Sequence, residues 1–383
     1  MNLKFGIPHQ RLSRFAQIHA LFPTTIRVVK IPTPLAIAER EIGVEASPFF
    51  IAEISANHGG ELSSALELVD IAAKAGASAI KIQHYTPETI TTRSTLPEFQ
   101  IGGGTLWDGR QLFDLYAEAM TPWEWTKEIF LRASENGLIC FSSPFDTTAV
   151  DFLEEHNVVA YKVASFELVD IPLIEYIART GKPMIMSTGM ATIEEIDNAV
   201  NAARGAGNSQ LALLRCNSGY PANPHEMDLR AIPFMRDRWD CEIGLSDHTL
   251  DSTSSIAAIA LGATIIEKHI IADRSAGGPD AAFSCEPLEL SNLIQQVNDA
   301  RSAIGSVRFG PSDREKASIA YRRSLRVSSA MKMGDIISES NVRSMRPAGG
   351  LLPAHMQDLI GKRITEDLEI GAAITWDVVS QND

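Results

Sequence analysis

The 383-residue chain has no uninterrupted apolar run of the roughly 18 residues that a membrane-spanning helix requires, which argues against an integral helical membrane protein. It also lacks a basic surplus. The formal net charge is -14, which speaks against a general nucleic-acid binder, because such proteins present a basic face. A few focused cations can still hold an anionic substrate inside an acidic protein. Cysteine is scarce: Cys140, Cys216, Cys241 and Cys285 are the only four, widely spaced and without a CxxC pair. Such scatter is neither a disulfide framework nor a zinc motif, and it fits free thiols in a reducing cytoplasm. The first residues contain no long apolar core with a small-residue cleavage site, so 1–45 reads as an irregular extension or lead-in rather than a secretory signal. What remains, 45% hydrophobic and 21% charged, is ordinary for a globular chain with room for one large and one small domain.

From residue 49 onward a pattern repeats. Short apolar runs are each followed by a turn and then by an amphipathic stretch of helical spacing. The runs are 49–54, 77–83, 138–145, 160–165, 183–189, 211–216, 242–248 and 263–270. Their near-continuous hydrophobicity is that of parallel strands covered on both faces. Leu62–Ala75 places Leu66, Val69 and Ala73 on one helical face ahead of Gly76. Thr192 with Glu195 forms a capping-box signal. No GxGxxG turn follows the first run. The expected fold is therefore a (β/α)8 TIM barrel over 46–304 rather than an open doubly wound sheet. Residues 305–323 read as a linker, and 324–383 as a small β-rich domain with strand-like pieces at 324–327 and 373–376. A unit so small has little core of its own.

Chemistry in such barrels sits at the carboxyl ends of the strands. Polar residues fall there in every run: Glu53; Lys81 and Gln83; Ser142 and Ser143; Lys162, Ser165 and Glu167; Ser187; Asn217, Ser218 and Tyr220; Ser246, Asp247 and His248; and His269. Lys81 and Lys162 alternate with apolar neighbours and point to the barrel mouth. Buried ammonium groups need anionic partners. A phosphate among Ser143, Ser165, Ser187 and Ser246 would serve, and so would salt bridges to Glu53 and Glu167. His248 and His269 end neighbouring strands and can reach one divalent ion. Water and carboxylates would complete a shell of Mn2+ or Mg2+ type rather than a closed zinc site. His58 and His84 are expected around that centre. Glu53 fits either acid–base work or a structural ion pair with Lys81.

These motifs resemble those of the sialic acid synthases, phosphoenolpyruvate-condensing enzymes with a C-terminal antifreeze-like (β-clip) domain. The matching stretches are FIAEISANHGG (50–60), KIQ (81–83), SSPFD (142–146), YKVASFE (161–167), STGM (187–190), GLSDHT (244–249), EKH (267–269) and GPD (278–280). The similarity spans about 40–379. GGTLWDGR (103–110), DLY (114–116), TPWEW (121–125) and GGPDAAFS (277–284) are most like the pseudaminic-acid-forming branch. That branch implies a substrate of 2,4-diacetamido-2,4,6-trideoxy-L-altrose. Ser218 stands where other synthases carry asparagine, and Asn217 where threonine is expected, so neuraminic and legionaminic acid synthases stay open. The resemblance implies that Lys81, Ser143, Lys162, Ser165, Ser187 and Ser246 bind phosphoenolpyruvate. By the same token His248 and His269 hold the metal, Glu53, Glu167 and His248 are catalytic, and Gln83, Ser218, Tyr220 and Asp280 line the sugar site. Arg346, in MRPAGG (345–350), matches an arginine that the family delivers from a partner subunit to the sugar N-acetyl group, implying a domain-swapped homodimer. Two other readings are a pyruvate-using aldol enzyme on the same barrel and a non-catalytic sugar-binding barrel.

Overall fold

The computed structural model describes residues 35–380, and the chain divides into two compact units with the boundary between Gly305 and Ser306. The predicted extension over residues 1–34 lies outside the described residues. The lead-in next to it is not irregular: β1 (Leu35–Ile37) and β2 (Arg40–Ile42) pair as an antiparallel hairpin. Leu35, Ile37 and Ile42 are buried in the same core as the barrel strands, so the hairpin is held by apolar burial.

Eight parallel strands close the barrel: β3 (Phe49–Glu53), β4 (Ala79–His84), β5 (Ile139–Pro144), β6 (Tyr161–Val163), β7 (Met184–Ser187), β8 (Leu211–Cys216), β9 (Glu242–Asp247) and β10 (Ile265–His269). They neighbour one another in chain order, and β10 returns to β3. The helices that follow them in turn are α1 (Leu62–Ala75), α2 (Thr126–Glu135), α3 (Thr147–Glu155), α4 (Ile171–Ala178), α5 (Ile193–Gly205), α6 (Ala231–Trp239), α7 (Thr253–Ala260) and α8 (Pro287–Ile304). In α1 the buried face is Ala65, Leu68, Val69 and Ala72, one residue round from the predicted stripe, because half-buried Leu66 and Ala73 flank it. The α1 C-terminus is closed by Gly76 in the left-handed region. The Thr192–Glu195 capping box forms at the start of α5 as read.

Inward and outward side chains alternate along each strand. The barrel interior below the mouth is filled. A Cβ added at Gly244 would lie 2.5 Å from the Ile265 carbonyl oxygen and 2.6 Å from Leu214, so only glycine fits between β8 and β10 at that level.

The second unit has its own small core of Leu325, Val327, Met331, Ile337, Val342, Leu359, Ile364, Leu368, Ile374 and Val379. Its antiparallel pair is β11 (Ser324–Val327) with β12 (Val342–Met345). The strand expected at 373–376 reduces to a bridge between Ala373 and Arg326, after which 376–378 turns into a short 3-10 segment. The Arg326 guanidinium donates to the backbone oxygens of Pro347, Ala348 and Gly371, doing with one side chain what a wider sheet would do with ladders.

Candidate functional site

The strand register brings the polar ends together. Glu53 on β3 stands opposite Lys81 on β4 and His269 on β10; Gln83 stands opposite Ser143 on β5; Glu267 on β10 stands opposite Ser246 on β9. All of these sit at the carboxyl end of the barrel, as the position of the polar residues in the sequence requires.

Two buried ion pairs form the floor of the mouth. Lys81 Nζ lies 2.5 Å from Glu53 Oε2 and donates to Ser143 Oγ at 3.1 Å. Lys162 Nζ lies 3.2 Å from Glu267 Oε1, which also accepts from Ser246 Oγ at 3.2 Å. The expected salt bridge from Lys81 to Glu53 is present. The one to Glu167 is replaced by Glu267, because Glu267 shares the inward face of β10 with His269. Glu267 was missed as a site residue, although its i, i+2 spacing from His269 is the signal that would have found it. Burial disfavours its anion, but Lys162 and Lys81 outweigh burial and hold its pKa down. Burial raises the pKa of Glu53, with Lys81 opposing and Glu267 adding to the rise. Burial lowers that of Lys162. Ser187 Oγ is buried with no hydrogen-bond partner among the described residues, which leaves it a donor to spare.

The rim above carries the sugar-side candidates. Gln83 Nε2 donates to Glu53 Oε1 at 2.9 Å and to Ser55 Oγ at 3.0 Å. Ser55 itself adopts φ 48°, a left-handed turn that swings the chain off β3. The Ser165 hydroxyl accepts from Gly189 N–H at 3.1 Å. A Cβ at Gly189 would meet Ser218 Oγ at 2.2 Å and Ser165 Oγ at 2.7 Å, so the loops after β6, β7 and β8 converge on one glycine. Tyr220 stacks 4.4 Å from the His248 ring and 5.0 Å from Phe283. Trp107 lies 5.5 Å from Tyr220 and donates its indole N–H to the Pro279 carbonyl at 2.8 Å, tying the loop after β4 to the loop after β10. Trp107 and Phe283 complete an aromatic wall that was visible in the sequence only as motif positions. Asp280 accepts from Ala56 N–H at 3.4 Å, and burial raises its pKa. Burial likewise lifts the Glu167 carboxyl, one of whose oxygens has no hydrogen-bond partner among the described residues, to about 7.

His248 and His269 meet with ring centroids 5.3 Å apart. His248 Nδ1–H donates to the Asn217 carbonyl at 2.8 Å, which leaves Nε2 with its lone pair free. Burial opposes a proton on His248, but the Cys216 sulfur and the Asn217 carbonyl outweigh it and raise its pKa. His269 is held well below the usual imidazole range by burial, by His248 and by the surrounding lysines. Its Nδ1 is buried without a hydrogen bond among the described residues, with Asp280 Oδ2 3.7 Å away. Two neutral-capable imidazoles with unspent nitrogen lone pairs fit a shared divalent ion. Among the described residues no group of three or more His, Cys, Asp and Glu side chains converges to hold one, so the other positions would fall to water and substrate oxygens.

The expectation for His84 is corrected. It lies on the outward face of β4, between Ser142 Oγ and Thr126 Oγ1 (2.7 Å each) and against Trp123 and Phe152. Burial there lowers its pKa to about 3, so it is a neutral core residue. His58 packs edge-on to Trp125 and accepts from Gly60 N–H at 3.0 Å. The four cysteines are free. Arg346 belongs to the C-terminal unit, where it is exposed just beyond β12.

Comparison with known proteins agrees with this architecture. Residues 68–309 match the NeuB family and residues 322–380 match the SAF domain. The chain is 42% identical to a pseudaminic acid synthase of Campylobacter jejuni over 85% of this chain and 95% of that protein. It is 36% identical to the Helicobacter pylori pseudaminic acid synthase over 88% and 98%. It is 34% identical to an N,N'-diacetyllegionaminic acid synthase of C. jejuni over 83% and 96%. Among solved structures, the N-acetylneuraminic acid synthetase of Leptospira borgpetersenii in complex with citrate matches with TM-score 0.67 and 31% identity, covering 76% of this chain and 96% of that one.

Proposed function

Since the chain belongs to the NeuB family, we propose that it condenses phosphoenolpyruvate with 2,4-diacetamido-2,4,6-trideoxy-L-altrose and water, giving pseudaminic acid and phosphate. The observation that carries the reaction class is the convergence of Lys81, Lys162, His248 and His269 on one barrel mouth. The choice of sugar is supported by the higher identity to the Campylobacter pseudaminic acid synthase than to the diacetyllegionaminic acid synthase.

In this reading Lys81, Lys162, Ser143, Ser165, Ser187 and Ser246 hold the phosphate and carboxylate of the enol phosphate, the lysines shifting from their glutamates toward the incoming anion. Gln83, Ser218, Tyr220, Asp280 and, from a partner subunit of a domain-swapped homodimer, Arg346 orient the open-chain sugar. His248 and His269 would hold Mn2+ or Mg2+, which when bound acts as a Lewis acid on the sugar aldehyde. Phosphoenolpyruvate C3 attacks sugar C1, forming the carbon–carbon bond. The C1 oxygen takes a proton, which the neutral Glu167 carboxyl supplies. Cationic character at C2 is stabilised by Glu53, water adds there and loses a proton, and C–O cleavage at C2 releases phosphate. Holding both reactants in contact removes about 7–11 kcal/mol of barrier in favourable cases, and the fixed lysine and serine dipoles add to it.

The test is a substrate panel: 2-acetamido and 2,4-diacetamido hexoses with phosphoenolpyruvate and Mn2+, read by phosphate release and product mass. A product only with the L-altro 2,4-diacetamido sugar supports the reading. A preference for the legionaminic or neuraminic precursor overturns the sugar, and turnover with pyruvate instead of phosphoenolpyruvate overturns the reaction.

A further inference from the structure

On the far side of the strands that carry the two imidazoles lies an ion pair that the chemistry above does not use. Asp247 and Lys268 stand in register across β9 and β10, with Nζ 3.2 Å from Oδ2 and both side chains 0% exposed. Strand alternation turns them outward, while their chain neighbours His248 and His269 turn inward. The carboxylate is fully engaged. Its Oδ1 accepts from Thr249 N–H at 2.9 Å and from the Thr249 hydroxyl at 2.7 Å, and its Oδ2 accepts from the Ser255 hydroxyl of α7 at 2.6 Å. The Lys268 ammonium also donates to the Thr249 carbonyl. His248 is thus clamped between a carboxylate and the residue bound to it twice, and that carboxylate is tied to the residue preceding His269.

We propose that the Asp247–Lys268 pair is the positioning device of the divalent-ion site, fixing the separation and orientation of His248 and His269 and so setting metal affinity. This rests on the reading that the two imidazoles share one ion. Ligands on separate strands hold a fixed geometry only if the strand ends cannot slide, and a doubly anchored buried pair across β9 and β10 prevents that. Isolated buried ion pairs stabilise folds poorly compared with apolar replacements of similar volume. Precise placement of the neighbouring ligands gives this one a role that fold stability alone does not.

The test uses the full chain, stripped of metal by chelation. Mn2+ binding is followed by electron paramagnetic resonance, and phosphoenolpyruvate binding by calorimetry. The double variant Asp247→Asn with Lys268→Met leaves no lone buried charge. It should lose about 10–100-fold in Mn2+ affinity, as alterations around metal ligands commonly do, with phosphoenolpyruvate affinity unchanged. Thr249→Val and Ser255→Ala loosen the clamp without touching either charge and should each show a smaller loss, which decides the matter if the double variant does not fold. Unchanged Mn2+ affinity in the folded variants, or equal losses for Mn2+ and phosphoenolpyruvate, overturns the proposal. His269→Ala is the control: if it binds Mn2+ as tightly as the unaltered chain, the shared-ion reading falls, and the proposal with it.

Discussion

Lys162 and Glu267 face each other across the barrel mouth at 3.2 Å, with both side chains almost closed to water. On the proposed reading, Glu267 holds the ammonium in place until the anionic substrate takes it over. Glu267→Gln leaves Lys162 uncompensated, which should destabilise the fold by about 3–5 kcal/mol. Binding an anion should restore part of that loss, because a ligand that binds only the native state stabilises it. The expected outcome is a larger rise in thermal midpoint with phosphoenolpyruvate for the variant than for the unaltered chain, measured by calorimetric scans. Equal shifts would remove Glu267 from the anion site.

Glu167 gives the pH dependence. Its folded pKa is raised to about 7 by burial, above the ordinary carboxyl value of 4.5. Between those values the native state binds more protons than the unfolded state. This group's contribution to stability is therefore fully present below about 4.5 and is lost as pH rises through about 7. As the proposed proton donor it should also give kcat/KM a limb that falls above about pH 7. Glu167→Gln should lower kcat and flatten that limb. A variant that keeps the limb unchanged assigns it to another group.

Gly189 is a steric prediction. A methyl there meets the Ser165 and Ser218 hydroxyls at separations no side chain tolerates. Gly189→Ala should cost about 1–3 kcal/mol in stability through overpacking. By moving those hydroxyls it should lower kcat/KM by up to about a hundredfold. Steady-state kinetics beside thermal unfolding separates the two effects.

Arg346 tests the partner-subunit idea. Arg346→Ala should raise KM for the sugar roughly 10–100-fold, the worth of a charge-assisted hydrogen bond, and leave KM for phosphoenolpyruvate unchanged. Mixing subunits of Arg346→Ala with subunits of His269→Ala should, at sugar concentrations well below the raised KM, regain activity that neither shows alone, because one mixed site receives both intact residues. No complementation means that the arginine serves its own chain.

Much of this was legible because parallel strands advertise themselves. The eight apolar runs became β3 to β10 within a residue or two, and His248 and His269 fell at the ends of neighbouring strands, His248 one residue past β9 and His269 closing β10. What escaped depends on parity and on contacts between distant loops. Ser142 and His84 sit one residue from true inward positions and so face the helices, where they bond to each other. Glu267 and Lys268 are adjacent in sequence, yet one enters the mouth and the other the layer behind it. The β1–β2 hairpin was read as irregular because three-residue strands carry too little periodicity to register. Trp107 and Phe283 join the wall only through contacts between loops distant in sequence: a hydrogen bond from Trp107 to Pro279, 172 residues on, and the stackings of Trp107 and Phe283 on Tyr220.

The glycine at 244 has a kinetic consequence. With Ile265 and Leu214 pressed against it, the barrel is filled at that level, so the proposed reaction should draw both reactants in through the carboxyl end. Lys81 sits two residues, roughly 6.6 Å, further down β4 than Gln83, so whatever Lys81 grips must enter before whatever Gln83 grips. Initial-rate patterns should accordingly be those of compulsory order, with the three-carbon reactant loading ahead of the sugar.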